Sequence, residues 1–199
     1  MYCNGIKPQS HPDPASVTWL RPSEYLDEGQ KAHFVKDSAS ANEVKQGALG
    51  DCWFIGALSV IATKDELLRG RAEHVAPEMI NLLDADTASM LSSGVYPPIF
   101  HKYRRKSIYV IRFFKNNAWR YVIIDDRLPT YKGNQQLVFG KCTSNDELWV
   151  PLIEKAYAKL HGCYQTLISG FIDDGLADMT AMVCEKLTLH NKAGEFDDS

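Results

Sequence analysis

Between residues 53 and 62 nearly every position is apolar: Trp53, Phe54, Ile55, Ala57, Leu58, Val60, Ile61 and Ala62 cover almost all faces of a helix. A helix that is apolar all round belongs inside a core, not on its edge. Asp51 stands where an N-cap would and Gly70 where the pattern stops, so the sequence predicts a central buried helix over 51–68. A second helical pattern covers 76–91, and Ser93-Gly94 and Pro97-Pro98 then break the chain. The period changes after that. Residues 107–115 and 118–125 are rich in Ile, Val, Tyr and Phe on either side of Asn116-Asn117, which predicts a β-hairpin. Pro129 and Gly133 close its second strand, and 136–141 reads as a third. Residues 146–160 return to an amphipathic helical pattern that ends near Gly162. Upstream, 19–36 carries helix and turn signals around Arg21-Pro22-Ser23-Glu24, and the C-terminal stretch alternates short helix and strand signals.

Composition narrows the class. The chain has 199 residues, 45% of them apolar, and a net charge of −3, which are the proportions of an ordinary globular protein. Nothing in that charge calls for nucleic acid, and the basic run Lys102-Tyr103-Arg104-Arg105-Lys106 reads as a solvated loop. The longest apolar stretch is too short for a transmembrane segment, and the N-terminus lacks the apolar region of a signal peptide. Cysteines stand at positions 3, 52, 142, 163 and 184, with no zinc spacing and no Asn-x-Ser/Thr acceptor in the chain. That usage predicts a reducing cytoplasm and cysteines that serve mainly as small buried hydrophobes.

Cys52 is the exception. The run Gln46-Gly47-Ala48-Leu49-Gly50-Asp51-Cys52-Trp53-Phe54 sets a thiol at the mouth of the buried helix. The thiolate is the attacking species, and the unpaired N–H groups of a helix N-terminus favour negative charge there. Gly47 and Gly50 leave room for a substrate backbone to approach the sulfur. An oxyanion formed by attack on a peptide carbonyl needs donors, and the Cys52 backbone N–H and the Gln46 side-chain amide can supply two. The bland alternative is an inert core cysteine; Gln46, the two glycines, Asp51 and Trp53 together weigh against it.

At these residues the chain resembles the calpain family of calcium-dependent cysteine endopeptidases. Trp19-Leu20-Arg21-Pro22-Ser23-Glu24 is similar to the segment that leads into that family's protease core, and 46–54 to its active-site run. Asp125-Asp126-Arg127-Leu128-Pro129 resembles its Asp-Asp-x-Leu-Pro turn. Glu147-Leu148-Trp149, then 152–159 and Gly162-Cys163-Tyr164, resemble its long core helix. The resemblance implies an α+β, papain-like cysteine protease fold. This chain would be the mainly helical first lobe, with the central helix bearing the cysteine and a small β-sheet. The domain division it implies is a loosely ordered segment over 1–18, the lobe over 19–182 with an insertion at about 69–106, and the start of the inter-lobe connection over 183–199. The insertion reads as a surface excursion.

The resemblance also implies chemistry. Catalysis is expected from Cys52 and Gln46, with a histidine and an asparagine contributed by a second lobe in cis. Ca²⁺ is expected on the backbone carbonyls of Lys36 and Ser38 and the carboxylates of Glu43 and Glu147, a hard oxygen set suited to that ion. Ser38 and Glu43 replace a glycine and an aspartate of the family pattern, and Ala41 replaces an arginine that ties the lobes together.

In papain-like enzymes the histidine follows the cysteine by roughly 130–150 residues. With the insertion it should fall later still, so the sequence to Ser199 is expected to stop before it. His190 lacks the family's Gly-His-Ala context, and His161 is better explained by electrostatics at a helix C-terminus. The other histidines fall in the insertion or before the cysteine, so the chain by itself is expected to be inactive. Protein substrates are implied; regulatory domains or a subunit are not legible in the sequence. The alternative reading is a non-catalytic calpain-like interaction module. A transglutaminase or deubiquitinase shares the nucleophile but not the Asp125–Pro129 and Glu154–Lys159 matches.

Overall fold

A computed structural model describes residues 12–70 and 93–185. After the short helix α1 (Pro22–Tyr25), helix α2 (Cys52–Ile61) buries Phe54, Ile55, Ala57, Leu58 and Ile61 within the hydrophobic core. Each of the larger side chains contributes about 1.5–3 kcal/mol of transfer free energy there. The helix is shorter than the sequence predicts. Thr63 and Lys64 N–H groups donate to Val60 and Ile61 carbonyls, tightening the last turn, and the Thr63 hydroxyl also bonds Val60 O at 2.7 Å. The chain restarts as α3 (Asp65–Arg69), where Asp65 and Glu66 suit a helix N-terminus and Arg69 closes an ion pair on Asp65.

The long helix α4 (Trp149–Leu160) packs against α2 through stacked rings: Phe54 and Tyr157 centroids lie 4.2 Å apart, and Phe113 meets Tyr157 edge-on at 5.1 Å. It begins later than the sequence pattern suggests. Residues 146 and 147 are held instead against the 33–36 segment, where His33 N–H donates to Asp146 O and Leu148 N–H to His33 O. A shorter helix, α5 (Ile172–Thr180), lies against α2 with Gly175 meeting Ala57.

Among the described residues the strands form three two-stranded antiparallel sheets. Strands β3 (Ile108–Lys115) and β4 (Ala118–Asp125) form the expected hairpin, in register from Ile108↔Asp125 to Lys115↔Ala118. Asn116 and Asn117 turn it with φ of 52° and 57°, the left-handed pair a tight primed turn requires. β1 (Val17–Leu20) pairs with β5 (Leu128–Tyr131), so β1 crosses the boundary expected after residue 18. β2 (Val44–Lys45) pairs with β6 (Lys141–Cys142). The strand expected over 136–141 is not formed as such: Leu137 makes a single bridge to Thr130, residues 138–140 are irregular and buried, and only Lys141 joins a strand, β6. Gly140 explains this, because its N–H donates to the Glu154 carboxylate instead of to a ladder.

The helix expected over 76–91 lies outside the described residues. The returning end of the insertion is no surface excursion, since Val95 and Tyr96 are buried. Their N–H groups bond the Leu67 and Leu68 carbonyls, and Val95 O accepts from Arg112 N. A 3-10 helix (Pro98–Lys106) then presents the basic run to solvent. Cys163 is buried and disulfide-bonded.

Candidate active site

Cys52 is the first residue of α2, and its side chain is exposed while the helix behind it is buried. Asp51 O starts the helix by accepting from Phe54 N at 2.8 Å and Ile55 N at 3.1 Å. The Cys52 and Trp53 N–H groups precede the first intrahelical bond. Asp51 holds the N-cap position, yet its carboxylate makes no capping bond and is wholly buried.

The approach to the cysteine is a fixed loop. Gln46 Nε2 donates to Leu49 O at 2.8 Å, and Ala48 N donates to Val138 O at 2.8 Å. One Gln46 amide hydrogen is thus engaged in shaping the loop, and the second is available to a ligand. Gly47 has a different role from the one its sequence suggests. A Cβ there would lie 2.2 Å from Phe139 O, so its missing side chain admits the protein's own backbone. Gly50 is the open one: a Cβ would meet only Ile168 at 3.6 Å.

Opposite this loop, residues 165–170 are pinned to the nucleophile segment. Trp53 Nε1 donates to Leu167 O at 2.8 Å, Ser169 N to Gly50 O at 3.2 Å, and the indole fills the place where Gly170 would carry a Cβ. The sequence does not announce these contacts, although it counts Trp53 among the residues that mark Cys52 as more than a core cysteine.

None of the interactions resolved for His33, His101 or His161 involves Cys52. His33 sits beside Asp146, His101 stacks on Tyr96 at 4.2 Å, and His161 stacks on Tyr157 at 4.4 Å. Burial, and then the Lys115 charge, push the His161 imidazole below its ordinary value, so it is neutral. That replaces the reading of His161 as a charged partner for its helix C-terminus. His190 lies outside the described residues.

The residues expected to hold calcium are partly gathered. Glu147 is buried, and its Oε1 accepts from Lys36 N at 2.8 Å. Burial, and to a smaller extent the Glu43 charge, push the Glu147 carboxyl up. Glu43 Oε2 accepts from Ser40 N at 3.0 Å in a capping box. Lys36 Nζ is engaged by Asp146 Oδ2 at 2.8 Å, and Lys36 and Ser38 are both exposed. Among the described residues, no group of three or more His, Cys, Asp or Glu side chains is placed to hold a metal ion. Two mutually repelling carboxylates beside an exposed loop are nevertheless a hard-oxygen set that a divalent cation would relieve.

The structure thus sets an exposed cysteine at the start of a buried helix, faced by a loop that carries a side-chain amide, in an α+β architecture. A family model described as calpain family cysteine protease matches residues 3–197. The chain is 36% identical over 176 residues to Calpain-5 of Caenorhabditis elegans, covering 88% of this chain and 23% of that protein. It is 36% identical over 174 residues to Calpain-5 of Mus musculus, covering 87% and 24%, and 34% identical over 169 residues to the Calpain-2 catalytic subunit of Bos taurus, covering 85% and 20%. The chain belongs to the calpain family of cysteine proteases. It spans about a quarter or less of these relatives' length.

Proposed function

We propose that this chain is the cysteine-bearing half of a calcium-dependent cysteine endopeptidase that makes limited cuts in protein substrates. The observation that carries the reading is the exposed Cys52 thiol at the N-terminus of α2, with Gln46 anchored in the facing loop. In this reading the Cys52 thiolate attacks the scissile carbonyl, and the oxyanion is held by the Cys52 backbone N–H and the Gln46 amide. The proton for the leaving amine comes from an imidazole outside the described residues, on a papain-like second lobe that also brings the asparagine. Ca²⁺, when bound, supplies charge that orders the 36–43 loop against the start of α4. Glu43, Glu147 and the carbonyls of Lys36 and Ser38 would hold it.

The experiment is site-resolved alkylation with iodoacetamide, read by peptide mass spectrometry. Cys52 should react first, Cys184 later, and Cys142 last, because burial pushes the Cys142 thiol far up and leaves it protonated. A Cys52 no faster than Cys184 would remove the nucleophile and favour a non-catalytic interaction module. The 199-residue chain should not hydrolyse peptides by itself; calcium-dependent hydrolysis by this chain, lost in Cys52→Ser, would refute the two-lobe reading. The cytoplasm goes with this function. The Cys163 disulfide stands against that compartment, and thiol counting on unfolded protein purified without oxidant decides between them. No helix among the described residues is long and apolar enough to cross a membrane.

A further inference from the structure

Beneath the nucleophile lie two acidic side chains that the proposed chemistry does not use. Asp51, the residue before Cys52, and Glu154, in the middle of α4, are both 0% exposed. Neither oxygen of Asp51 has a donor among the described groups. Glu154 receives one, the Gly140 N–H, shared between its two oxygens at 3.1 and 2.9 Å. The crevice beside Glu154, walled by Leu128, Pro129, Phe139, Pro151 and Tyr164, is too tight to admit a water molecule. Two ionised carboxylates in such a place would be strongly disfavoured, with the Gly140 N–H the one donor shown to offset their charge.

Nor, among the described residues, is a cation shown to reach them. On α4 the neighbouring Lys155 is tied to Asp125 Oδ1 at 2.5 Å and to the Arg127 carbonyl at 2.7 Å. Arg127 itself lies 3.9 Å from Asp125. From α2 the adjacent titratable group is Cys52, and from the 164–167 turn it is Tyr164, both acids. The 137–140 segment brings no ionisable side chain. The two buried carboxyls influence each other directly, and a hydrogen bond between them would need a proton.

We propose that Asp51 and Glu154 hold one proton between them, and that this buried acid pair positions the nucleophile by tying the residue before Cys52 to α4. The inference deepens the reading of Cys52 as nucleophile and rests on it. With the proton in place the pair carries a single negative charge, and Asp51 stays turned inward while its carbonyl starts α2. Losing that proton sets two like charges against each other one residue from the thiol. Burial, and then mutual repulsion, push the Glu154 carboxyl well above its ordinary value, and burial raises Asp51 as well, which is the direction a shared proton requires.

The test is Glu154→Gln, which keeps the shape and offers an N–H to Asp51 without a proton to lose. The sign follows from proton counting. Above the ordinary carboxylate value the folded wild type binds one more proton than the unfolded chain, so its stability falls as pH rises until the pair ionises. Across that window the folding equilibrium of Glu154→Gln should gain on wild type by about tenfold per pH unit. Parallel stability curves for the two proteins would overturn the shared proton, whatever Cys52 does.

The second readout is the pH profile of Cys52 alkylation. Wild type should depart from a single thiol titration where the pair gives up its last proton, and Glu154→Gln should follow a single curve. Identical profiles would overturn the positioning role. A Cys52 inert in both proteins would remove the nucleophile reading, and the positioning role with it, while the stability curves would still decide the proton.

Discussion

The indole N–H of Trp53 donates to the Leu167 carbonyl at 2.8 Å, fastening the residue after Cys52 to the loop across from it. The same ring packs edge-on against Phe54 and Tyr157 at 5.7 and 6.0 Å and covers Gly170. Trp53→Phe keeps most of that ring packing and removes the bond. The buried Leu167 carbonyl then loses its donor, at about 1–3 kcal/mol. We expect a lower denaturation midpoint, and faster amide hydrogen exchange in residues 165–170 than in α4.

The two glycines of the approach loop should respond differently to the same substitution. At Gly47 an added Cβ meets the Phe139 backbone at 2.2 to 2.5 Å, which no side-chain rotation can relieve. Gly47→Ala should therefore cost about 3 kcal/mol or more, or abolish folding. Gly50→Ala adds a methyl in ordinary contact with Ile168, and should leave the thermal midpoint within a few degrees of wild type. Equal effects at the two positions would mean that the loop moves as a unit away from Phe139.

How much of this was legible depended on whether the signal was local. The hairpin was, because Asn116 and Asn117 tolerate left-handed φ and the flanking residues have strand chemistry. The cysteine-bearing helix was legible in kind but not in length. Its apolar run continues past Ile61, while the Thr63 turn that ends it is settled by one hydroxyl bond to Val60. Pairing of β1 with β5 joins segments about a hundred residues apart and leaves no periodic trace. Gly140 reads as a loop residue, and nothing near it in sequence announces that its N–H serves Glu154. Asp51 is the instructive failure: its type and position match an N-cap, and only the arrival of α4 turns its carboxylate inward.

Gln46 should separate loop shape from transition-state stabilisation. Its amide holds Leu49 O, so Gln46→Ala loosens the turn slightly, by about 1 kcal/mol. Cys52 alkylation needs no oxyanion donor and should stay within a few-fold of wild type. In a longer chain that includes the histidine, peptide turnover should fall by about 10²–10³, the usual effect of deleting one such donor. A parallel loss of alkylation and turnover would assign Gln46 to the loop alone.

Calcium at the Glu43–Glu147 corner should be visible without any activity. Terbium luminescence excited through a nearby aromatic ring should report binding to the wild-type chain. Glu147→Gln should abolish it, because this residue is the buried carboxylate of the set. Titration with Ca²⁺ should raise the wild-type melting temperature as expected for a ligand bound only by the folded state, and leave Glu147→Gln unchanged. Wild-type protein indifferent to both ions would leave Glu43 and Glu147 as a repelling pair of structural acids.

Lys155 ties α4 to the end of the hairpin, with its ammonium on Asp125 Oδ1, Asp125 O and Arg127 O at 2.5, 2.9 and 2.7 Å. Burial pushes the Asp125 carboxyl up, but the hydrogen bond and charge of Lys155 outweigh it and hold the group below its ordinary value. A depressed acid adds stability that is present above its unfolded value of about 3.9 and disappears as pH falls through the lower folded value. Lys155→Met keeps the stem that lies along the core and removes the charge. It should destabilise the protein at pH 7 by about 1–3 kcal/mol. The gap from wild type should narrow below about pH 4, as Asp125 becomes protonated in both. It should not close, because the two carbonyls still lose their donor. Urea denaturation at several pH values measures this directly, and a gap that stays constant down to pH 3 would assign the whole effect of Lys155 to its carbonyl bonds.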